Sequence, residues 1–137
     1  MELNYGAIVV ASVLQFICGA VWYTYFGQVW GKIHGFDKLS KDVQDKMMKS
    51  MGPLYAMQFL VTLVTTAVLA LFFEALPQDW NVYGMAGFFW LGFVVPTQIS
   101  GVIFGGTENK WVVKKIAIQA GASFLCLQIA AAVLHFM

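Results

Sequence analysis

Arginine is missing from this chain of 137 residues, and its eight lysines and seven acidic residues keep to four short patches. Between the patches lie stretches without any formal charge: Leu3 to Gly31, Ser50 to Phe73, Trp80 to Thr107 and Ile116 to Met137. A charge at the centre of a membrane helix costs roughly 2.5 kcal/mol or more. About 20 apolar residues at ~1.5 Å rise cover the ~30 Å hydrocarbon core, so each stretch is long enough to cross a bilayer. The same absence removes a function: a proton-coupled exporter needs a carboxylate inside the membrane, and none of these segments holds one.

Other shortages narrow the field further. The two cysteines, Cys18 and Cys126, form no Cys-x-x-Cys pair, which excludes the dithiol motif of a thiol oxidant. Counted from the helix ends they fall at different depths, so no disulfide is expected and both read as small packing residues. His34 and His135 fall on opposite sides of the membrane and cannot share a metal or an acid–base step. Gly105-Gly106 precedes Thr107-Glu108, with no Lys where a phosphate-binding loop requires one. No metal, no cofactor and no catalysis by this chain alone are expected. A net charge of +1 with no basic cluster outside the loops excludes a nucleic-acid surface. With 60% hydrophobic and 11% charged residues, the sequence leaves room for one bundle over 1–137 and no separate soluble domain.

What is present is organised by the bilayer. The expected fold class is all-α, an integral membrane bundle of four transmembrane helices spanning about 4–26, 53–73, 82–104 and 111–136. Lys32, Lys38, Lys41, Lys46 and Lys49 lie between the first two spans, and Lys110, Lys114 and Lys115 between the last two. The second connection carries Glu74 and Asp79 but no Lys. Lysine marks cytoplasmic loops, so both termini are expected outside, in the periplasm. The first span, with no positive start and a long apolar run, does not read as a cleavable signal peptide. Trp22, Tyr23, Tyr25, Phe26, Trp30 and Trp111 mark the cytoplasmic interface, and Trp80 with Tyr83 the outer one. Between the first two spans an amphipathic cytoplasmic helix is expected over about 40–51. Ser40 caps it, Leu39, Val43, Met47 and Met51 share a face, and Asp42–Lys46 and Asp45–Lys49 pair at i,i+4. It would lie on the membrane surface or offer its methionine face to a partner.

Function must then rest on neutral polar groups. Ser12, Gln15, Gly19 and Tyr23 share one face of the first span, and Tyr55, Gln58, Thr62 and Thr65 one face of the second. The third carries Thr97, Gln98 and Ser100 just after Pro96, which should kink the helix by removing the donor to the Gly92 carbonyl. The fourth has Gln119 and Ser123 together and Gln128 opposite. A buried amide must find partners, so these faces are expected to converge within the bundle or at an oligomer interface. They could serve as interhelical glue worth about 0.6 kcal/mol per contact. They could also line a cavity formed by Gln15, Gln58, Thr62, Thr65, Thr97, Gln98 and Gln119 and capped by Trp22 and Tyr23. Gly19, Gly101, Gly105, Ala117 and Gly121 are the expected sites of close helix packing.

Gly19-Ala-Val-Trp22-Tyr23 with Phe26-Gly27 and Trp30, and Trp90-Leu-Gly92-Phe-Val-Val-Pro96-Thr97 with Phe104, resemble the small four-helix membrane family known as domain of unknown function 1761. The likeness covers nearly the whole chain and implies a bacterial inner-membrane protein. It supplies no activity or substrate. Relatives tend to carry an acidic-basic pair after the third span, where this chain has Gly105-Gly106-Thr107-Glu108.

Three functions remain in view. The first is a non-enzymatic bundle acting through helix packing, as a homo-oligomer or an accessory subunit among other membrane subunits. The second is a small oligomeric transporter or channel for a neutral or weakly polar molecule. The third is a subunit that binds a lipid or quinone at Trp22 and Tyr23.

Overall fold

Asn4 starts the first helix: its side-chain oxygen accepts the Ala7 N–H at 3.0 Å, satisfying one of the donors that every helix start leaves unpaired. From there the computed structural model, which describes residues 3–137, is built of helices and turns, with no strand among the described residues. Helix α1 runs Tyr5–Tyr25 and is followed directly by the short α2, Gly27–Ile33. A 3-10 turn at Phe36–Lys38 leads to α3, Lys41–Lys49, capped by the Ser40 hydroxyl, which accepts the Val43 N–H. Helix α4 spans Gly52–Ala75 with Pro53 in its first turn, where a missing N–H costs nothing.

The third long helix is broken in the middle. Helix α5, Val82–Phe89, begins under Asn81, whose side chain accepts from Tyr83 and Gly84 N–H at 2.9 and 3.1 Å. Trp90–Val94 then forms a π-turn, with the Val95 N–H reaching back to the Trp90 carbonyl, before α6 continues over Val95–Phe104. Pro96 sits in the first turn of α6. The interruption expected at the proline is thus an extra-residue turn placed just ahead of it. After a 3-10 turn at Asn109–Trp111, α7 runs Val112–Phe136.

Four helical segments are long and apolar enough to cross a membrane: Tyr5–Tyr25, Gly52–Ala75, Val82–Phe104 and Asn109–Phe136. Their outward surfaces carry large exposed apolar side chains such as Ile17, Leu60, Val64, Phe88 and Phe93, as lipid-facing helices require.

α1 and α7 form an antiparallel central pair. The Asn4 amide donates to the Met137 carbonyl at 3.2 Å, the Cys126 thiol lies 3.6 Å from the Gln15 carbonyl, and the Trp22 indole donates to the Ile118 carbonyl at 2.9 Å. α4 packs on α1, and α5 with α6 packs on α7. The four-helix ring closes at one end only. At the end remote from the lysines, Ala11, Leu69, Ala86, Leu127, Ala130 and Ala131 form a continuous buried cluster, sealed by Phe72 against Phe89 at 4.4 Å. Alanine lets these backbones approach closely. Toward the lysine end, α4 has no buried residue before Thr66 and α6 buries only Val102. No hydrogen bond or aromatic contact joins α4 to α6 among the described residues. A wedge therefore opens between them.

Candidate functional site

The apex of the wedge is a buried polar trio. The Gln15 amide donates to the Thr66 hydroxyl at 2.7 Å and to the Ala11 carbonyl at 3.2 Å. The Ser12 hydroxyl lies 3.4 Å from the same Thr66 oxygen and 2.7 Å from the Ile8 carbonyl. Ser12 and Thr66 are 0% and 1% exposed, so this amide and these two hydroxyls are paired out of contact with lipid. The polar stripe of α4 that the sequence outlines, Gln58, Thr62 and Thr65 at i+4 and i+7, passes over Thr66. The i+4 step from Thr62 to Thr66 was the available signal.

Above the trio an apolar cleft of about 250 Å³ separates α4 from the α5–α6 helix, lined by Val64, Thr65, Val68, Leu69, Phe89, Val94 and Leu127. Helical periodicity carries these two faces toward the lysine end. From Thr65 the α4 face continues through Thr62 and Gln58, and from Val94 the α6 face continues through Thr97, Gly101 and Gly105. Thr62, Thr65 and Thr97 return their hydroxyls to the carbonyls of Gln58, Val61 and Phe93, at 2.9, 3.0 and 2.7 Å. Their exposure is therefore inexpensive. The Gln58 amide is different: it is exposed, and its one contact is to the Thr62 hydroxyl at 3.5 Å.

On the α7 side, Gln98 is held at the wall by α7, its carbonyl accepting from the Ser123 hydroxyl at 3.3 Å and its amide reaching the Gln119 carbonyl at 3.5 Å. Ser123 also meets the Trp90 indole N–H at 3.2 Å, and that N–H donates to the Ala120 carbonyl at 2.8 Å. The half-buried Gln119 side chain makes no hydrogen bond of its own among the described residues.

Trp22 and Tyr23 do not cap a common space. Trp22 turns onto α7, where its ring lies so close over Gly121 that a Cβ there would come within 2.7 Å of it. Tyr23, about 100° further round the helix, stacks edge-on against Trp30 of α2 at 5.0 Å. The expected packing residues likewise divide. Gly121 meets Trp22, while Gly19 and Gly101 face open space and Gly101, Gly105 and Ala117 are exposed.

The cysteines also require a correction. Cys18 and Cys126 are free thiols, yet neighbours across the α1–α7 contact. Depth counted from helix ends failed because α7 starts about a turn beyond the end of α1, as the Trp22–Ile118 pairing shows.

Aromatic rings gather at the lysine end. Trp30 lies between Tyr23 and His34, the latter at 4.7 Å, with the Lys115 ammonium 5.7 Å above its ring. Partial burial of the largely exposed ring first, and Lys115 second, lower the His34 pKa below the ordinary imidazole value. Trp111 carries Lys114 and Lys110 at 5.3 and 5.6 Å in the same manner. No cluster of three or more metal-ligating side chains occurs among the described residues.

An all-helical chain with four apolar segments of bilayer length and an open, polar-walled wedge has the composition of a multi-span membrane protein. The chain belongs to the DUF1761 family, described as a protein of unknown function, whose family model matches residues 6–135. No curated protein and no solved structure matches it.

Proposed function

We propose that this is a non-enzymatic, multi-pass protein of a bacterial inner membrane whose working part is the wedge, which holds a neutral or amphiphilic molecule taken sideways from the bilayer. The observation that carries this reading is a pair of amides left over, Gln58 on the α4 wall of the wedge and Gln119 on α7 next to Gln98. Gln58 is exposed with one marginal contact, and Gln119 has none of its own. An amide facing hydrocarbon without partners costs several kcal/mol, and a guest with acceptor groups removes that cost. In this reading the lysine end is cytoplasmic, both termini are periplasmic, and α3 lies along the inner surface with Val43 and Met47 toward lipid.

A second reading is favoured by α6. Thr97 and Gly101 are exposed, and nothing stands within 4 Å of a Cβ built on Gly101. Such a face admits a helix of a second copy or of another subunit. Native mass spectrometry of the protein released from membranes separates the two readings. A retained small molecule on the single chain supports the first, and a fixed multiple or a constant set of other chains supports the second. A bare monomer defeats both.

A further inference from the structure

The wedge walls are neutral, but its mouth is cationic. We infer that the guest is an anionic phospholipid, its phosphate held at Lys115 and His34 and one acyl chain running up between α4 and α6. This rests on the wedge being a guest site and adds the charge and anatomy of the guest.

The first argument is charge. One salt bridge occurs among the described residues, Lys110 to Glu108 at 3.5 Å, and it lies in the loop away from Trp30. Lys115 has no carboxylate partner among the described residues. Its ammonium is held over the Trp30 ring, which fixes its position while leaving its N–H donors for an anion. His34 meets the same ring, and the positive potential from Lys115 that opposes its protonation is what a phosphate would neutralise.

Depth supplies the second argument. Tryptophan and tyrosine concentrate at headgroup level, and Tyr23, Trp30 and His34 stack on one another at the lysine end. An ester carbonyl of the glycerol backbone accepts hydrogen bonds but cannot donate them. Gln58 lies about two turns further along the α4 wall with donors to spare.

Length is the third. From Gly52 to Val64 α4 rises ~18 Å, a distance suited to an acyl chain, and it ends at the apolar cleft lined by Val64, Val68, Phe89 and Val94. A soluble anion would use the mouth and leave this cleft without a role. A lipid fills both, and the open side of the wedge admits it laterally.

The test is native mass spectrometry of the full-length protein from nanodiscs holding equal phosphatidylglycerol and phosphatidylcholine. Wild type should retain phosphatidylglycerol preferentially. Lys115→Gln should reduce that preference about fivefold, the effect of one lysine near a membrane surface. Lys115→Arg should keep it, and Lys114→Gln, on the Trp111 side, should change it less than twofold. If Lys115→Gln does not fold, His34→Gln takes its place, with a smaller loss expected. Equal retention of the two lipids by wild type, or equal loss in Lys114→Gln and Lys115→Gln, overturns the inference and leaves the wedge as a site for an uncharged guest. Retention of neither lipid removes the guest reading as well.

Discussion

The two ends of this bundle are made from the same four helices but follow different rules. At the end remote from the lysines, small side chains meet small side chains: Ala11, Ala86, Ala130 and Ala131 are fully buried, and Leu69 and Leu127 fill the space between them. At the lysine end α1 and α7 stay together through Trp22 on Gly121, while α4 and α6 part. The difference follows the residue types along each helix. α4 changes from Tyr55, Gln58 and Thr62 to Leu69, Ala70 and Phe73 as it climbs, and its partners close over it only in the second set. What distinguishes the halves is therefore the inward-facing residues, since both are apolar on the outside.

That contrast can be broken most severely from the closed end. Ala130→Leu inserts a branched side chain where no surface is exposed and should cost about 3 kcal/mol, read as a loss of folded protein in a denaturing-detergent titration. An equal cost for Leu at exposed Ala117 would show that the two ends are packed alike. Thr66→Val, at the boundary, leaves the Gln15 amide without its 2.7 Å acceptor and should cost about 1.5 kcal/mol in the same titration.

Gly121→Ala tests the one tight contact of the open half. The added carbon displaces the Trp22 ring, for about 1 kcal/mol and a shift in tryptophan emission. Gln58→Leu, on the wedge wall, should leave the empty fold as stable or more stable, since it removes an exposed amide with one 3.5 Å contact, while reducing the retained guest in native mass spectra. A large destabilisation there would mean that Gln58 is already engaged within the fold. The smallest effect concerns His34. Its folded pKa is lowered, so the unfolded segment binds a proton first. Stability of α2 against α7 is then full above the ordinary imidazole range and falls as pH drops through it. Hydrogen exchange of α2 amides at pH 7.5 and pH 5.5 should show faster opening at the lower value, and a pH-independent rate would exclude the effect.

The helical class and the four long apolar segments were legible because charge placement is a one-dimensional property that the bilayer reads directly. Side-chain partners were not. Gln15 was recognised as buried-facing, yet its partner is Thr66, because two adjacent threonines differ by about 100° on the helix and only the neighbouring helix decides between them. Trp22 and Tyr23, also adjacent, meet different partners for the same reason, Gly121 and Trp30. The glycines divide: Gly121 packs under Trp22, whereas Gly19 and Gly101 face open space. Spacing shows that Gly101 and Gly105 could admit another helix, but within this chain alanine provides the close contacts. The wedge itself left no trace in composition, since it arises where two helices fail to meet.

The extra residue in the turn at Trp90–Val94 has a bearing on how such a chain tolerates change. One residue corresponds to about 100° of rotation, so everything from Pro96 onward is clocked differently from a continuous helix. Removing a single position there would swing Gln98 and Val102 off α7 and present other side chains in their place, without altering a residue of either contact. Alignment of this region by sequence gaps alone would then miss a complete change of the surface that α6 offers.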